Sequence, residues 1–173
     1  DLLSTKETSF DINGSIQSDV TYTYDYDTHY QPKGSTAIDS NDDEITTTYF
    51  YPTDRDDLTG MVSDAYTAAD DLDRLNRFEV LETRVEKNQT PISKVRTNFK
   101  TIIFNPSTPE EYSIIVPKTV ETLKGSDASG SLDERLNYHE YDEKGNIVEV
   151  SKKDGSHIVY IWGYDKTLPI AKI

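Results

Sequence analysis

YHEYDEKGNIVEVSKKDGSHIVYIWGYDKTLPIAKI, residues 138–173, is the most regularly patterned part of the chain. β-favouring and polar residues alternate through it, interrupted by turn signals at Glu143-Lys144-Gly145-Asn146 and at Lys153-Asp154-Gly155. Successive side chains of a strand point to opposite faces, so Leu136, Tyr138, Glu140 and Asp142 share one face of a first strand and Asn137, His139 and Tyr141 the other. Ile147 to Val150 returns along it, and His157 to Tyr164 makes a third pass with Ile158, Tyr160 and Trp162 on one side. The stretch predicts a three-stranded antiparallel meander, followed by a last strand, Leu168 to Ile173, that offers an open edge.

The same residues carry a resemblance. Tyr141-Asp142 followed by Gly145-Asn146, then Asp154-Gly155, then Tyr160, Trp162-Gly163-Tyr164 and Pro169-Ile170-Ala171, resembles the YD repeat of Rhs-type proteins, above all the long Rhs proteins of Bacteroidetes-like bacteria. The likeness rests on Tyr138 to Ile173 and is looser over Ile45 to Thr101. Earlier units depart from the pattern: Tyr26-Asp27 has no Gly-Asn turn after it, and Tyr49-Phe50-Tyr51 has no aspartate directly after its first tyrosine.

The resemblance implies a β-sheet ribbon spiralling into a hollow shell that encloses or presents a C-terminal toxin. It implies a protein secreted, by a type 9 route, or held at the outer-membrane surface of a Gram-negative bacterium. This chain would then be an internal or C-terminal segment of the repeat shell, a non-catalytic scaffold. Its partners would be the remainder of its own polypeptide or neighbouring chains covering the open edge, with a toxin as cargo. Self-cleaving shells carry an aspartate-proline-glycine tract; none occurs here, so the segment is expected to be neither protease nor toxin.

Composition bounds these readings. With 173 residues, one domain or one segment of a larger domain is expected, and the start at Asp1 without methionine or signal peptide fits an internal piece. Only 34% of residues are hydrophobic and the mean hydropathy is -0.70, which suits a sheet with one solvated face better than a thick core. The 12 tyrosines offset part of that deficit, since each ring is apolar with a polar tip. A net charge of -14 repels phosphate backbones and anionic lipid heads, so neither nucleic acid nor a membrane surface is expected as partner. No apolar run approaches the roughly 20 residues that span a bilayer. The absence of cysteine excludes disulfides and cysteine-based zinc sites.

Before the terminal unit, Ser9 to Ile12 predicts a strand ending at the Asn13-Gly14 turn and pairing with Asp19 to Tyr26. Val20, Tyr22, Tyr24 and Tyr26 fall on one face of that second strand. Tyr22, Tyr24 and Trp162 are candidates for sugar stacking, the basis of an alternative reading as a carbohydrate-binding surface module or a subunit of an outer-membrane or secretion assembly; the contrasting reading packs the rings on a next layer of sheet. Gln31 to Glu44 reads as a polar loop. Asp39, Asp42, Asp43 and Glu44 make it a calcium candidate, although the spacing does not match an EF-hand and a charge run is ordinarily solvated. Ile45 to Tyr51 is a further strand, stopped by Pro52.

From Asp56 to Phe78 the pattern changes. Leu58, Met61, Val62, Ala65, Ala69, Leu72 and Leu75 recur at helical spacing, which predicts one helical excursion over 57–77, begun by Asp56 or Asp57 and read as a plug over one sheet face, with a partner-binding helix as the alternative. Strands resume at Glu79, turn near Asn88-Gln89-Thr90-Pro91 and continue from Ile92 to Phe104. Tyr112 to Val116 and Thr119 to Leu123 read as two strands separated by Pro117, and Gly125 to Ser131 as an exposed tip.

No catalytic or cofactor constellation emerges. His29, His139 and His157 are read as surface or strand histidines, and Ser156-His157 are strand neighbours pointing apart. Beyond the calcium candidate no metal site is predicted. A hydrolase remains the other rival class, and it would need a cleft with converging carboxylates.

Overall fold

The computed structural model describes residues 3–11, 14–123 and 131–173, with side chains at 9–11 and 14–18 excepted. Eleven strands form one antiparallel sheet: β1 (Ser4–Asp11), β2 (Gly14–Tyr24), β3 (Pro32–Ile38), β4 (Glu44–Phe50), β5 (Glu82–Lys87), β6 (Thr90–Phe104), β7 (Tyr112–Leu123), β8 (Leu132–Tyr141), β9 (Ile147–Lys152), β10 (His157–Gly163) and β11 (Leu168–Lys172). Their order across the sheet is their order in sequence. Each strand therefore pairs with its chain neighbours, through short hairpin connections except between β4 and β5, where the chain makes its helical excursion. The protein is all-β with a small helical excursion. Among the described residues no helix is long and apolar enough to cross a membrane.

Several expectations need correction. The polar loop over Gln31 to Glu44 contains β3, which pairs with both β2 and β4, for example Tyr22↔Ser35 and Ser35↔Thr47. Its sequence PKGSTAI has no large apolar residue before Ile38, yet two flanking strands supply the hydrogen bonds and packing that the segment lacks alone. Gly34 is required there: a Cβ would lie 2.3 Å from the Thr47 carbonyl oxygen. The two strands placed either side of Pro117 are one, β7, whose pairing with β6 shifts register between Asn98 and Phe99, opposite the proline that cannot donate to the ladder. The Asn13-Gly14 turn, except Gly14, and the Gly125–Ser131 tip, except Ser131, lie outside the described residues.

The helix is shorter than 57–77. Pro52–Asp57 is a 3-10 turn, and α1 spans Ser63–Arg74 with Val62 at its N-cap. Asp56 thus starts no α-helix; its carboxylate accepts a hydrogen bond from Tyr66 Oη at 2.5 Å. At the other end Asn76, with φ 52°, closes the helix: Asn76 N–H donates to the Asp73 carbonyl and Arg77 N–H to that of Leu72, a Schellman arrangement.

The excursion covers the middle of the sheet. Ala68, Ala69 and Leu72 of α1 pack with Leu58 on Leu81, Phe99 of β6 and Ile115 of β7. Alanines on the inner face let helix and strands approach closely, and Arg55 holds the helix to the preceding turn through Asp70 at 2.8 Å and Asp73 at 2.7 Å. Beneath the loop leading into α1, the fully buried Glu82 accepts from Arg84 Nε at 2.5 Å and pairs with Arg96, whose guanidinium also donates to the Thr59 carbonyl. Every oxygen of that carboxylate is partnered, the condition under which a buried charge is tolerated.

Candidate functional site

The YD motif builds a turn. Tyr141 ends β8 buried, its Oη donating to the Pro117 carbonyl of β7 at 2.8 Å, and burial raises its phenol pKa. Asp142 N–H donates to the Asn146 carbonyl and Gly145 N–H to that of Asp142, while Asp142 Oδ1 accepts from the backbone N–H of Lys144 and Asn146, both at 2.9 Å. Gly145 sits at φ 81°, the left-handed position such a turn demands. Although burial works the other way, the side chain and N–H of Asn146 and the N–H of Lys144 hold the Asp142 carboxyl below the usual carboxylate range.

The acidic loop proposed for calcium has the same geometry. Asp39 N–H donates to the Asp43 carbonyl, Asp42 N–H to that of Asp39, and Asp39 Oδ1 accepts from Asn41 and Asp43 N–H at 2.8 and 3.1 Å. Asp42, at φ 62°, takes the place of Gly145. The carboxylates converge on an internal cation: Lys87 Nζ lies 3.1 Å from Asp39 and 2.6 Å from Asp43, while Glu44 opens β4. The N–H of Asn41 first, then that of Asp43 and Lys87, lowers the Asp39 pKa. Among the described residues no group of three or more His, Asp or Glu converges for a metal.

The backbone of the turn recurs at the next hairpin, with Lys152 where the other two have an aspartate. Lys152 N–H donates to the Ser156 carbonyl, Gly155 N–H to that of Lys152, and Gly155 has φ 88°; Asp154 Oδ1 accepts from Ser156 N–H at 3.2 Å. The same hairpin turn thus recurs at Asp39–Asp43, Asp142–Asn146 and Lys152–Ser156. Side-chain contacts stitch such turns to their neighbours along the sheet rims. Asn146 Nδ2 donates to the Lys166 carbonyl at 2.8 Å, Lys144 pairs with Asp165 at 2.8 Å, Lys166 with Glu143, and Lys153 with Asp133. The turn after Gly163 holds Tyr164, Asp165 and Lys166 all at positive φ, with Tyr164 exposed. Trp162 Nε1 donates to the Ile147 carbonyl at 2.8 Å, and Tyr160 lies beneath Lys172.

One outer edge is β11. Val159 and Ile173 exchange both backbone hydrogen bonds, each 2.9 Å, so alternation along the antiparallel pair turns the N–H and C=O of Lys172 away from β10, while the pairing shifts register at Ile170. Leu168, Ile170 and Ile173 are exposed there. Pro169 stands opposite Trp162, beside that register shift.

The stacking trio is not brought together: Trp162 lies on β10 and its indole N–H is engaged, while Tyr22 and Tyr24 lie on β2. The two tyrosines instead line a groove of about 360 Å3 with Pro32, Tyr49, Tyr51 and Val80. Tyr49 and Tyr51 were missed as members because the strand that sets them opposite β2 was missed. His29, expected at the surface, is buried between Tyr51 and Phe78, its ring 4.5 and 5.1 Å from theirs, with Nδ1 accepting from Gln31 N–H. His139 and His157 are exposed and stacked at 4.9 Å. His139 Nε2 lies 2.7 Å from the buried Ser151 Oγ, but Glu149 bonds His157 rather than His139, so no acid–base–nucleophile relay forms.

Comparison of the chain with protein-family models, with curated proteins and with solved structures finds no match.

Proposed function

We propose that this chain is a wall segment of a YD-repeat shell of Rhs type, secreted or displayed at the surface of a Gram-negative bacterium, and that it works by enclosing or presenting a C-terminal effector rather than by catalysis. The observation that carries this reading is the hairpin turn repeated at Asp39–Asp43, Asp142–Asn146 and Lys152–Ser156 within a meander whose strand order follows the sequence throughout. A meander of this kind grows by adding hairpins, each contacting only its neighbours, so its length is set by the number of units and not by closure of a core. The outward backbone groups of Lys172 give such growth a place to continue, and an exposed edge of this sort is ordinarily covered. The remainder of the same polypeptide or a neighbouring chain is the partner assigned to it, with a toxin as cargo.

The test is the intact mass and sequence of the parent polypeptide from its native source. A chain far longer than 173 residues, carrying further Tyr-Asp and Gly-Asn units and an unrelated C-terminal domain, is the expected result. A native polypeptide ending near residue 173 could close no shell and would sink the reading.

A further inference from the structure

We infer that the tyrosine groove between β2 and β4 is a binding subsite for a neutral oligosaccharide. Tyr22 and Tyr24 project from β2, Tyr49 from β4, and Tyr51 follows it directly. Between these rows runs β3, whose Pro32 stands opposite Tyr24 and whose Ser35 stands opposite both Tyr22 and Thr47. Large rings on the outer strands and small residues on the middle one leave a trough, its walls separated by two strand spacings, roughly 9.6 Å between backbones.

The floor of the trough is fixed. Tyr51 is 4% exposed and its Oη donates to the Pro32 carbonyl at 2.8 Å. Tyr22, Tyr24 and Tyr49 are only half-buried, so their faces can be reached. The groove's volume of about 360 Å3 lies in the range of small-ligand sites.

Charge selects the occupant. The nearby ammonium of Lys33 is held by Asp54 at 2.6 Å, with Asp25 at 3.8 Å, and Asp54 also accepts from Tyr51 N–H. No unpaired charge lines the groove, and a net charge of -14 disfavours anions, nucleic acid included. An uncharged ligand with an apolar face and a hydroxyl rim fits rings that are themselves apolar bodies with polar tips. A pyranose, with C–H bonds on its faces and hydroxyls at its edge, has that chemistry. The subsite does not depend on the shell reading, since the groove is built from β2, β3, β4 and the flanking Tyr51 and Val80, all within this chain.

The experiment titrates the unsubstituted chain, labelled with aromatic 13C at tyrosine, with cellohexaose, chitohexaose, xylohexaose, laminarihexaose and mannohexaose. Calorimetry measures affinity. At least one sugar is expected to shift the Tyr22, Tyr24 and Tyr49 ring signals. Tyr49→Ala is expected to weaken that sugar about tenfold, the scale of one lost aromatic contact, while Tyr49→Phe and the remote Tyr164→Ala bind as the parent does. Failure of all five sugars to shift the rings overturns the inference, as does binding that Tyr49→Ala leaves unchanged in a folded chain. A proline-rich peptide that shifts the same rings where no sugar does overturns it in favour of peptide recognition. Should Tyr49→Ala not fold, the ring shifts of the unsubstituted chain and the retained affinity of Tyr49→Phe decide.

Discussion

The centre of the sheet and its C-terminal ribbon are made of the same strands and held by different forces. Behind β6 and β7 lies α1, and most of the buried apolar residues belong to these elements or to the segments flanking α1: Tyr51, Leu58, Ala65, Ala68, Ala69, Leu72, Leu81, Phe99, Ile115 and Val116. Over β8 to β11 only Tyr141 and Val150 are buried among the described apolar residues. What the ribbon has instead is turns that satisfy their own backbone and lock onto an adjacent turn through Asn146, Lys144 and Lys166, or onto β8 through Lys153. The contrast teaches that a sheet poor in aliphatic residues is kept in register from its rims, and acquires a conventional core only where a helix is laid across it.

The largest effects are expected in the centre. Arg96→Ala leaves the Glu82 carboxylate buried with half its partners gone, and is expected to cost about 3–5 kcal/mol. Leu72→Ala opens a cavity under α1 and is expected to cost about 2–5 kcal/mol. Urea unfolding of each variant measures the loss. Hydrogen exchange should place it in α1, β5 and β6 and leave the protection of the 142–146 turn unchanged. Loss of protection spread evenly to β9 and β10 would mean that the two regions do not differ.

A smaller loss is expected in the ribbon. Tyr141→Phe removes the donor to the Pro117 carbonyl while keeping the ring under Lys100. The expected cost is about 1–2 kcal/mol, that of a half-buried acceptor left without its partner. Urea midpoints of Tyr141→Phe and Tyr112→Phe sharpen the comparison, because Tyr112 Oη bonds the Glu143 carbonyl in an exposed setting; an equal loss in both would remove burial as the explanation.

These differences mark what the sequence could disclose. The hairpin rhythm of 138–173 was legible because alternation, glycine at positive φ and a following Asn coincide there. β3 was not, since Gly, Ser and Thr signal a loop until Tyr22 and Thr47 are seen on either side of it. The helix was placed too early because Leu58 and Met61 keep apolar spacing although neither is helical; they pack against the same cluster from an irregular segment. Periodicity there reported a shared core, not a shared helix. Half of the tyrosine groove was readable from β2, and the other half needed the pairing through β3. Nothing in the alternation of residues 80–87 could announce that Glu82 is buried, because its partner Arg96 lies across the next hairpin.

Acid should separate the regions further, with a smaller effect. The carboxyls of Asp142, Glu143 and Asp165 titrate below their ordinary values; hydrogen bonds from Lys166 and Lys144 act first at Glu143 and Asp165, while at Asp142 burial is overcome by hydrogen bonds from Asn146 and from the N–H of Lys144. A group depressed in the folded state contributes stability that is present above its unfolded pKa and lost as pH falls through the folded one. The rim is therefore expected to hold above pH about 4.5 and loosen below about 3.8, the ordinary Glu and Asp values. NMR of the 142–146 and 164–167 amides during an acid titration reads this directly. Melting of α1 ahead of these turns would reverse the comparison, and Asp142→Asn should blunt the response of its own turn.

The smallest effect is a gain, and it tests whether Asp39–Asp43 and Asp142–Asn146 are one device used twice. The hydrogen bonds from their backbone N–H groups correspond one for one, but Asp42 holds φ 62° where Gly145 holds 81°. A non-glycine residue in the left-handed region is strained, aspartate less than most. Asp42→Gly removes that strain, offset in part by the greater freedom of glycine in the unfolded chain. The net expectation is a stabilisation of about 0.5–1 kcal/mol. The converse change, Gly145→Asp, should lose a similar amount, since a Cβ at Gly145 would meet only Ile114 Cδ1 at 3.7 Å and so finds room. Thermal melts of both variants check the pair. Opposite signs of similar size show that one turn geometry governs both ends of the sheet. Equal signs would mean that the Lys87 cluster, and not the backbone, sets the conformation at Asp42.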